Sequence, residues 1–294
     1  MSYEGPEDEA PQPRSRRALP LTFAALVPVA LLGWLVYSAL GEEPDRPAAA
    51  ATPSVSAAPG GTSSPSPSAG SLAGKVVVID PGHNTGNFRH TAEINKQVDI
   101  GTGKKECDTT GTATNAGYAE AEFTLDLAHR LRALLEKQGA TVELTHDGDR
   151  EWGPCVDERA RIGNTAHADA AISLHADGSA EGNRGFHVIM PGAVHAGAAD
   201  SRPIVAPSRK LGARVAGGYR RTTGEPFSNY LGDGTGMVTR TDLGGLNLST
   251  VPKVFIECGN MRDKSDVALL TSGPWRQKAA QGISEGIVSF LHES

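Results

Sequence analysis

The chain has few aromatic and few apolar residues for its length of 294 residues. Aromatic residues make up 5% of it and the hydrophobic residues together 38%, which is less than globular proteins usually contain. The deficit lies in the first quarter of the sequence, whose composition is not that of a globular domain. The remainder is long enough for one sizeable domain.

The sequence has fewer basic than acidic residues, 28 against 34. The formal net charge is −6, and no basic patch with interleaved aromatic residues occurs. A general nucleic-acid-binding protein needs such a patch, so we do not expect nucleic acid as a partner. The sequence also lacks an internal repeat, which argues against a repeat architecture.

Charged residues are absent from residues 18–41. A bilayer is crossed by roughly 20 apolar residues, so we predict that this segment is a transmembrane anchor. Arginines precede it and acidic residues follow it, which predicts a cytoplasmic tail over residues 1–17. A cleaved signal peptide is the alternative, although its apolar core would normally be about 7–15 residues long.

Residues 42–73 are almost entirely Pro, Ala, Ser, Thr and Gly. Such a segment cannot bury enough apolar surface to offset its ordering entropy, which predicts a disordered linker. The anchor and the linker together would hold residues 74–294 at the cell membrane, outside the cytoplasm. The same residues would be secreted if the apolar segment is cleaved.

From residue 74 onward, strand-like and helix-like segments alternate. Unbroken apolar runs at 76–79 and 254–256 are typical of strands buried on both faces of a parallel sheet. Helices are predicted over residues 120–138, 156–168, 208–220 and 273–292. The alternation predicts a single α/β domain with a mostly parallel, twisted sheet flanked by helices. Residues 84–117 form a long polar loop, and such loops are usually functional or disordered.

Three predicted strands end on residues that can bind a metal or move a proton, namely His83, His175 and Glu257. Ligands of open parallel sheets bind beyond the carboxyl ends of the strands, so we expect these side chains to converge. Two histidines at matching strand ends favour zinc, because neutral imidazole is a preferred zinc ligand. A catalytic zinc site with two histidines commonly takes a carboxylate as its third protein ligand.

Glu120 and Glu122 stand at the start of the predicted helix 120–138, and either could supply this carboxylate. They are two residues apart, so they face different directions. Both could instead serve only to offset the positive end of the helix dipole. Spacing alone does not choose between them.

Two further carboxylates have candidate roles. Glu257 follows three apolar residues, so partial desolvation is expected to raise its pKa toward a value suited to a general base. Asp80 is a candidate for orienting a metal-bound imidazole from the second coordination sphere. A role in capping the turn after the strand is equally compatible with its position.

The chain has three cysteines, Cys107, Cys155 and Cys258. Cys107 and Cys155 lie in loop-like stretches where they could pair, whereas Cys258 follows a buried strand. In an oxidising compartment, one disulfide and one buried thiol is the simplest arrangement. Three free thiols remain the alternative.

Four stretches in unbroken order resemble the zinc-dependent N-acetylmuramoyl-L-alanine amidases, and the likeness extends over residues 75–290. The stretches are residues 78–83, 120–131, 159–177 and 254–260. In that family a glutamate is followed by Leu at the sixth position and by Ala-x-x-Leu ending at the twelfth. Glu120 fits this spacing and Glu122 does not. The resemblance thus implies His83, Glu120 and His175 as the ligands of one Zn²⁺ per chain, and Glu257 as the catalytic glutamate.

The implied reaction is hydrolysis of the amide bond between N-acetylmuramic acid and the L-alanine of the peptidoglycan stem. Peptidoglycan is therefore the expected substrate, and the membrane a partner through the N-terminal segment. The pair Cys107 and Cys155, together with the long 84–117 loop, resembles the mycobacterial-type subgroup, which implies a disulfide between them.

Two other functions compete with this interpretation. The first is a cysteine hydrolase that uses Cys258, but alternate residues of a strand point to opposite sides, so Cys258 is expected to face away from Glu257. The second is a non-catalytic wall-binding domain of the same fold. Retention of all four polar site residues argues against it.

Overall fold

The computed structural model of the protein describes residues 72–293. The predicted tail 1–17, the apolar segment 18–41 and nearly all of the linker 42–73 lie outside the described residues, so those predictions remain predictions. Within residues 72–293, no helix combines the length and the apolar character needed to cross a membrane. Leu72 already packs into the hydrophobic core and is 1% exposed, so the folded part includes the end of the predicted linker.

A six-stranded sheet forms the centre of the described part. Residues 72–293 contain ten strands, four of which form two separate hairpins, β2–β3 and β7–β8. The strands are β1 Val76–Pro81, β2 Gln97–Asp99, β3 Lys104–Glu106, β4 Thr141–Leu144, β5 Ala170–Asp177, β6 His187–Pro191, β7 His195–Ala196, β8 Ala199–Asp200, β9 Met237–Arg240 and β10 Lys253–Asn260. The order in the central sheet is β4-β1-β5-β10-β6-β9. Strands β4, β1, β5 and β10 are parallel, whereas β6 runs antiparallel to β10 and pairs in parallel with β9. The predicted mostly parallel sheet is confirmed.

Helices flank this sheet, as predicted for an α/β domain. They are α1 Thr91–Ile94, α2 Glu120–Lys137, α3 Val156–Thr165, α4 Arg202–Thr223, α5 Gly244–Asn247, α6 Lys264–Leu270 and α7 Gly273–His292. Helix α4 begins at Arg202, before the predicted residue 208. Pro203 lies in its first turn, where a missing N–H is tolerated, and the helix continues through Pro207.

The main hydrophobic core lies between the sheet and helices α2, α4 and α7. On β5, Ile172 and Leu174 point into this core, and on β10 Ile256 does so. Because side chains alternate along a strand, His175 and Glu257 project from the opposite face. That face is covered near β1 by a smaller apolar cluster that includes Val78.

The long polar loop 84–117 contains regular structure. It forms one turn of 3₁₀ helix at Asn87–Arg89, helix α1 and the antiparallel β2–β3 hairpin. A disulfide joins Cys107, just after this hairpin, to Cys155, which directly precedes α3. Cys258 is a free buried thiol.

Candidate active site

The first site histidine follows the carboxyl end of β1. A side chain at Gly82 would place its Cβ 2.4 Å from Cε1 of His175, so only glycine lets the chain pass this close to the second histidine. His83 itself has a φ of 62°, in the left-handed region. Non-glycine residues adopt this region infrequently, and such residues are often found at functional sites.

Three side chains from separate elements form one cluster. Glu120, the first residue of α2, lies between the two imidazoles. Its Oε1 is 2.9 Å from Nδ1 of His175, and its Oε2 is 3.3 Å from Nε2 of His83. One candidate ligand atom from each residue can be chosen so that all lie within 4.8 Å of one another. The structure therefore brings together the three residues that were expected to bind a metal.

Glu120 and Glu122 have different surroundings. Glu120 is 4% exposed, whereas Glu122 is exposed on the surface of α2. The Glu120 carboxylate also accepts hydrogen bonds from the backbone N–H groups of Thr112 and Ala176, at 2.9 and 3.2 Å. Burial alone would raise the pKa of Glu120, but the charges of His83 and His175 and their hydrogen bonds to the carboxylate hold it well below the ordinary value. Its carboxylate is therefore charged at neutral pH.

Glu257 lies beside the cluster, on β10. Its Oε2 is buried and has no hydrogen-bond partner within residues 72–293. Burial raises the pKa of Glu257 well above its ordinary value, and the negative charges of Glu120 and Asp177 raise it further, against the effect of His83. A carboxyl group with a raised pKa can both take and give a proton near neutral pH.

All four residues line one pocket of about 200 Å³, which is bordered by Asp177 and Arg240. A wider groove of about 660 Å³ continues from His83 and Glu120 toward Phe88 and Arg262. The site is therefore open at the surface and extends beyond the cluster itself. This shape suits a long substrate that crosses the site.

Comparison with known proteins identifies the family. Residues 77–289 match the sequence profile described as N-acetylmuramoyl-L-alanine amidase. The chain belongs to this amidase family. An N-acetylmuramoyl-L-alanine amidase of Mycobacterium tuberculosis is 41% identical over 248 residues, which cover 83% of this chain and 94% of that protein.

Solved structures of mycobacterial amidases are similar to this one. The crystal structure of an N-acetylmuramyl-L-alanine amidase from Mycobacterium smegmatis shares 40% identity and a TM-score of 0.69, over 76% of this chain and 99% of that chain. The apo form of the Mycobacterium abscessus protein gives 39% identity and a TM-score of 0.66, over 75% of this chain and 100% of that chain. This amidase is thus a mycobacterial-like member of its family.

The structure corrects the expected environment of Asp80 in this amidase. Asp80 was a candidate for orienting an imidazole or for capping the turn. Its carboxylate instead accepts hydrogen bonds from the guanidinium of Arg159 at 2.7 Å and from the ammonium of Lys253 at 3.2 Å. It also accepts from the hydroxyls of Thr145 and Ser173, at 2.7 and 2.5 Å. Asp80 is therefore the centre of a buried ion-pair network below the site.

A second carboxylate, that of Asp108, meets the His83 ring on the side away from Glu120, and the sequence alone did not predict it. Its Oδ1 is 3.3 Å from Nδ1 of His83, and its Oδ2 accepts a hydrogen bond from Arg159 at 2.9 Å. Burial alone would raise the pKa of Asp108, but the charges of Arg159 and His83 lower it to about 2. Asp108 lies in the polar loop, where no hydrophobic periodicity predicts the direction of a side chain. The one local indication that its position is fixed is the neighbouring Cys107, which forms the disulfide.

The Cys258 thiol lies in the main hydrophobic core, on the face of the sheet opposite Glu257. It is 1% exposed and packs in the same cluster as Ile256 and Tyr219. Burial raises the pKa of this thiol well above its ordinary value. A nucleophilic cysteine needs an accessible thiolate, so this position does not suit a nucleophile.

Proposed function

We propose that this amidase is a zinc-dependent hydrolase that cleaves the amide bond between the lactyl group of N-acetylmuramic acid and the L-alanine of the peptidoglycan stem. The observation that carries the proposal is the convergence of His83, Glu120, His175 and Glu257 on one pocket. The 41% identical relative bears the name of this activity.

The cluster fits a zinc ion by its chemistry and its spacing. Two imidazoles and one carboxylate are an established donor set for catalytic zinc. Adjacent ligand atoms around a tetrahedral zinc lie about 3.3 Å apart, as follows from bond lengths of roughly 2.0–2.1 Å. The nitrogen–oxygen separations here are 2.9 Å from Nδ1 of His175 to Oε1 of Glu120 and 3.3 Å from Nε2 of His83 to Oε2. One ligand atom from each of the three residues can be chosen so that all lie within 4.8 Å of one another. His83, Glu120 and His175 would hold one ion per chain.

An ion held by these residues would supply Lewis-acid chemistry: it would polarise the scissile carbonyl and make the attacking water more acidic. Glu257 accepts the proton that the attacking water loses, since its carboxyl group lines the same pocket as the cluster and its Oε2 has no hydrogen-bond partner within residues 72–293. Glu257 then donates this proton to the amine of L-alanine as the carbon–nitrogen bond breaks. The amine leaves in its neutral form.

The groove next to the cluster would receive the polymer. It extends away from Glu120 past the exposed ring of Phe88, which is 61% exposed. Glycan strands and stem peptides extend on both sides of the scissile amide, so an enclosed cavity could not accept them. The open groove is therefore consistent with an intact wall substrate.

We further propose that the enzyme acts outside the cytoplasm, attached to the cell membrane by residues 18–41 and separated from it by residues 42–73. The uncharged segment and its flanking charges support this placement. Fractionation of cells that produce the full chain tests it: the enzyme should remain with washed membranes. Recovery of a shortened chain in the medium would indicate a cleaved signal peptide instead.

The two competing functions receive less support. A cysteine hydrolase would need Cys258 at the pocket, and this thiol lies in the core on the other face of the sheet. A wall-binding domain without activity would not require a buried, charged Glu120 between two histidines, because such an arrangement contributes nothing to binding a neutral glycan.

The proposal is tested by metal removal and restoration on purified peptidoglycan. Dialysis against a chelator should abolish the release of free L-alanine amino groups, and one equivalent of Zn²⁺ should restore it. Full activity of a protein shown by elemental analysis to be free of metal would refute the zinc mechanism. The Glu257→Gln variant reloaded with zinc serves as the matched inactive control.

A further inference from the structure

The ring of His83 is held from the side that faces away from Glu120. Its Nδ1 lies 3.3 Å from Oδ1 of Asp108 and 3.2 Å from both the carbonyl oxygen and the hydroxyl of Thr109. The carboxylate and the carbonyl can only accept hydrogen bonds. Two of the three neighbouring oxygen atoms thus require a hydrogen on Nδ1, and Nε2 is the ring nitrogen that faces Glu120 and would bind the ion.

Arg159 joins this carboxylate to the backbone of the histidine. The guanidinium donates to Oδ2 of Asp108 at 2.9 Å and to the carbonyl oxygen of His83 at 3.0 Å. Its other nitrogen donates to Asp80 at 2.7 Å. The same side chain thus fixes the backbone of His83 and the acceptor that its ring requires.

The backbone around Asp108 is tied down on both sides. The preceding Cys107 forms the disulfide with Cys155, and its carbonyl oxygen accepts a hydrogen bond from the N–H of Val156 at 2.7 Å. The following Thr109 accepts one from the side chain of Asn87 at 2.7 Å. These contacts restrain the loop backbone on both sides of Asp108 and so help to keep its carboxylate at the His83 ring.

We propose that Asp108 is the positioning residue of the metal centre: it fixes the tautomer and the ring orientation of His83, while Arg159 and the Cys107–Cys155 disulfide hold Asp108 in place. This inference rests on the proposed zinc site. It gives the His83 ring a fixed partner at a position whose backbone is in the left-handed region.

The first test measures zinc affinity by competition with a chromogenic chelator, in the purified protein and in two variants. Loss of a second-sphere partner typically lowers metal affinity about 10–100-fold. We expect Asp108→Ala to show a loss in this range. Asp108→Asn keeps one acceptor oxygen, so its loss should be smaller. Equal affinity of the native protein and Asp108→Ala would overturn the inference.

A surface pair provides the matched control. Glu93 lies 3.7 Å from Nδ1 of His90, so Glu93→Gln also removes a carboxylate from an imidazole, but away from the cluster. This variant should bind zinc as the native protein does. A loss equal to that of Asp108→Ala would show a general charge effect and would contradict a role specific to Asp108.

The second test uses only the native chain, so it does not depend on the folding of a variant. Nitrogen NMR of the zinc-loaded, isotope-labelled protein identifies which ring nitrogen of His83 carries the hydrogen. A protonated Nδ1 and a metal-bound Nε2 are expected. The opposite assignment would overturn the inference while leaving the zinc site in place, whereas failure of the native protein to bind zinc at all would overturn both.

Discussion

Glu257 and His175 stand directly beside each other on the neighbouring parallel strands β10 and β5. Paired residues of adjacent strands project from the same face, so the candidate base and a candidate metal ligand lie on one face of the sheet. Cys258, the next residue along β10, points into the core on the other side. Because consecutive side chains of β10 point to opposite faces, Glu257 is at the site and Cys258 is not, which favours the amidase mechanism over a cysteine mechanism.

Glu257→Gln should retain zinc and lose activity. Glutamine preserves the size and hydrogen-bonding capacity of the side chain but cannot accept a proton. General acid–base contributions are typically about 10²–10⁴-fold, and the fall in kcat on purified peptidoglycan should lie in or above that range. Zinc content is measured on the same samples.

Cys258→Ser provides the comparison for that variant. The Cys258 thiol of the native protein lies away from the pocket, so the folded fraction of the variant should keep most of the activity. A buried hydroxyl in this core is expected to lower the stability of the variant. An inactive but folded Cys258→Ser together with an active Glu257→Gln would point to a cysteine nucleophile.

Glu120→Ala and Glu122→Ala should behave differently. Removal of Glu120 deletes the carboxylate between the histidines and should abolish tight zinc binding and activity. Glu122 is exposed, so its removal should change only the helix-dipole interaction, by roughly 0.3–1 kcal/mol. Zinc content and thermal unfolding distinguish them, and retention of zinc by Glu120→Ala would exclude it as a ligand.

Removal of the disulfide should lower the free energy of unfolding. The two cysteines are 48 residues apart, and a crosslink over a loop of this size is worth about 4 kcal/mol in the chain-entropy model, with measured values typically about 2–4 kcal/mol. Urea unfolding of the Cys107→Ser, Cys155→Ser double variant measures the difference. Unchanged stability, with the native bridge verified by peptide mapping, would contradict this prediction.

Asp80→Asn should destabilise the metal-free protein at neutral pH. Arg159 would keep Asp108 as a partner, but Lys253 would stay buried without its anion, and breaking a buried ion pair costs about 3–5 kcal/mol. These cations and hydroxyls hold the pKa of Asp80 far below its ordinary value of 3.8, against the effect of burial. The stabilisation is therefore fully present above pH 3.8 and decreases as the pH falls below it.

Urea unfolding at pH 7 and pH 3 checks this prediction, because the difference between native and variant should shrink at the lower pH. Asp126→Asn is the control: Asp126 also pairs with two arginines but lies at the surface, where such pairs contribute about 0–1 kcal/mol. An Asp80→Asn cost no larger than that of Asp126→Asn would show that the buried network is not needed for stability.

The strand ends at His83, His175 and Glu257 could be predicted because buried parallel strands are recognisable from unbroken apolar runs. Glu120 could be separated from Glu122 only by the family spacing, since both begin the same helix. The partners of Asp80 and Asp108 could not be predicted, because Arg159 and Lys253 come from distant parts of the chain and meet them only in the folded state. Local patterns carry no information on such contacts.

The bond that the enzyme breaks tests the central claim most directly. Purified peptidoglycan is digested with the zinc-loaded enzyme, and the soluble products are identified by mass spectrometry. The account predicts stem peptides with a free L-alanine amino terminus, together with glycan strands that retain an unsubstituted lactyl carboxylate. Muropeptides with new reducing ends, or peptides cut within the stem, would contradict it.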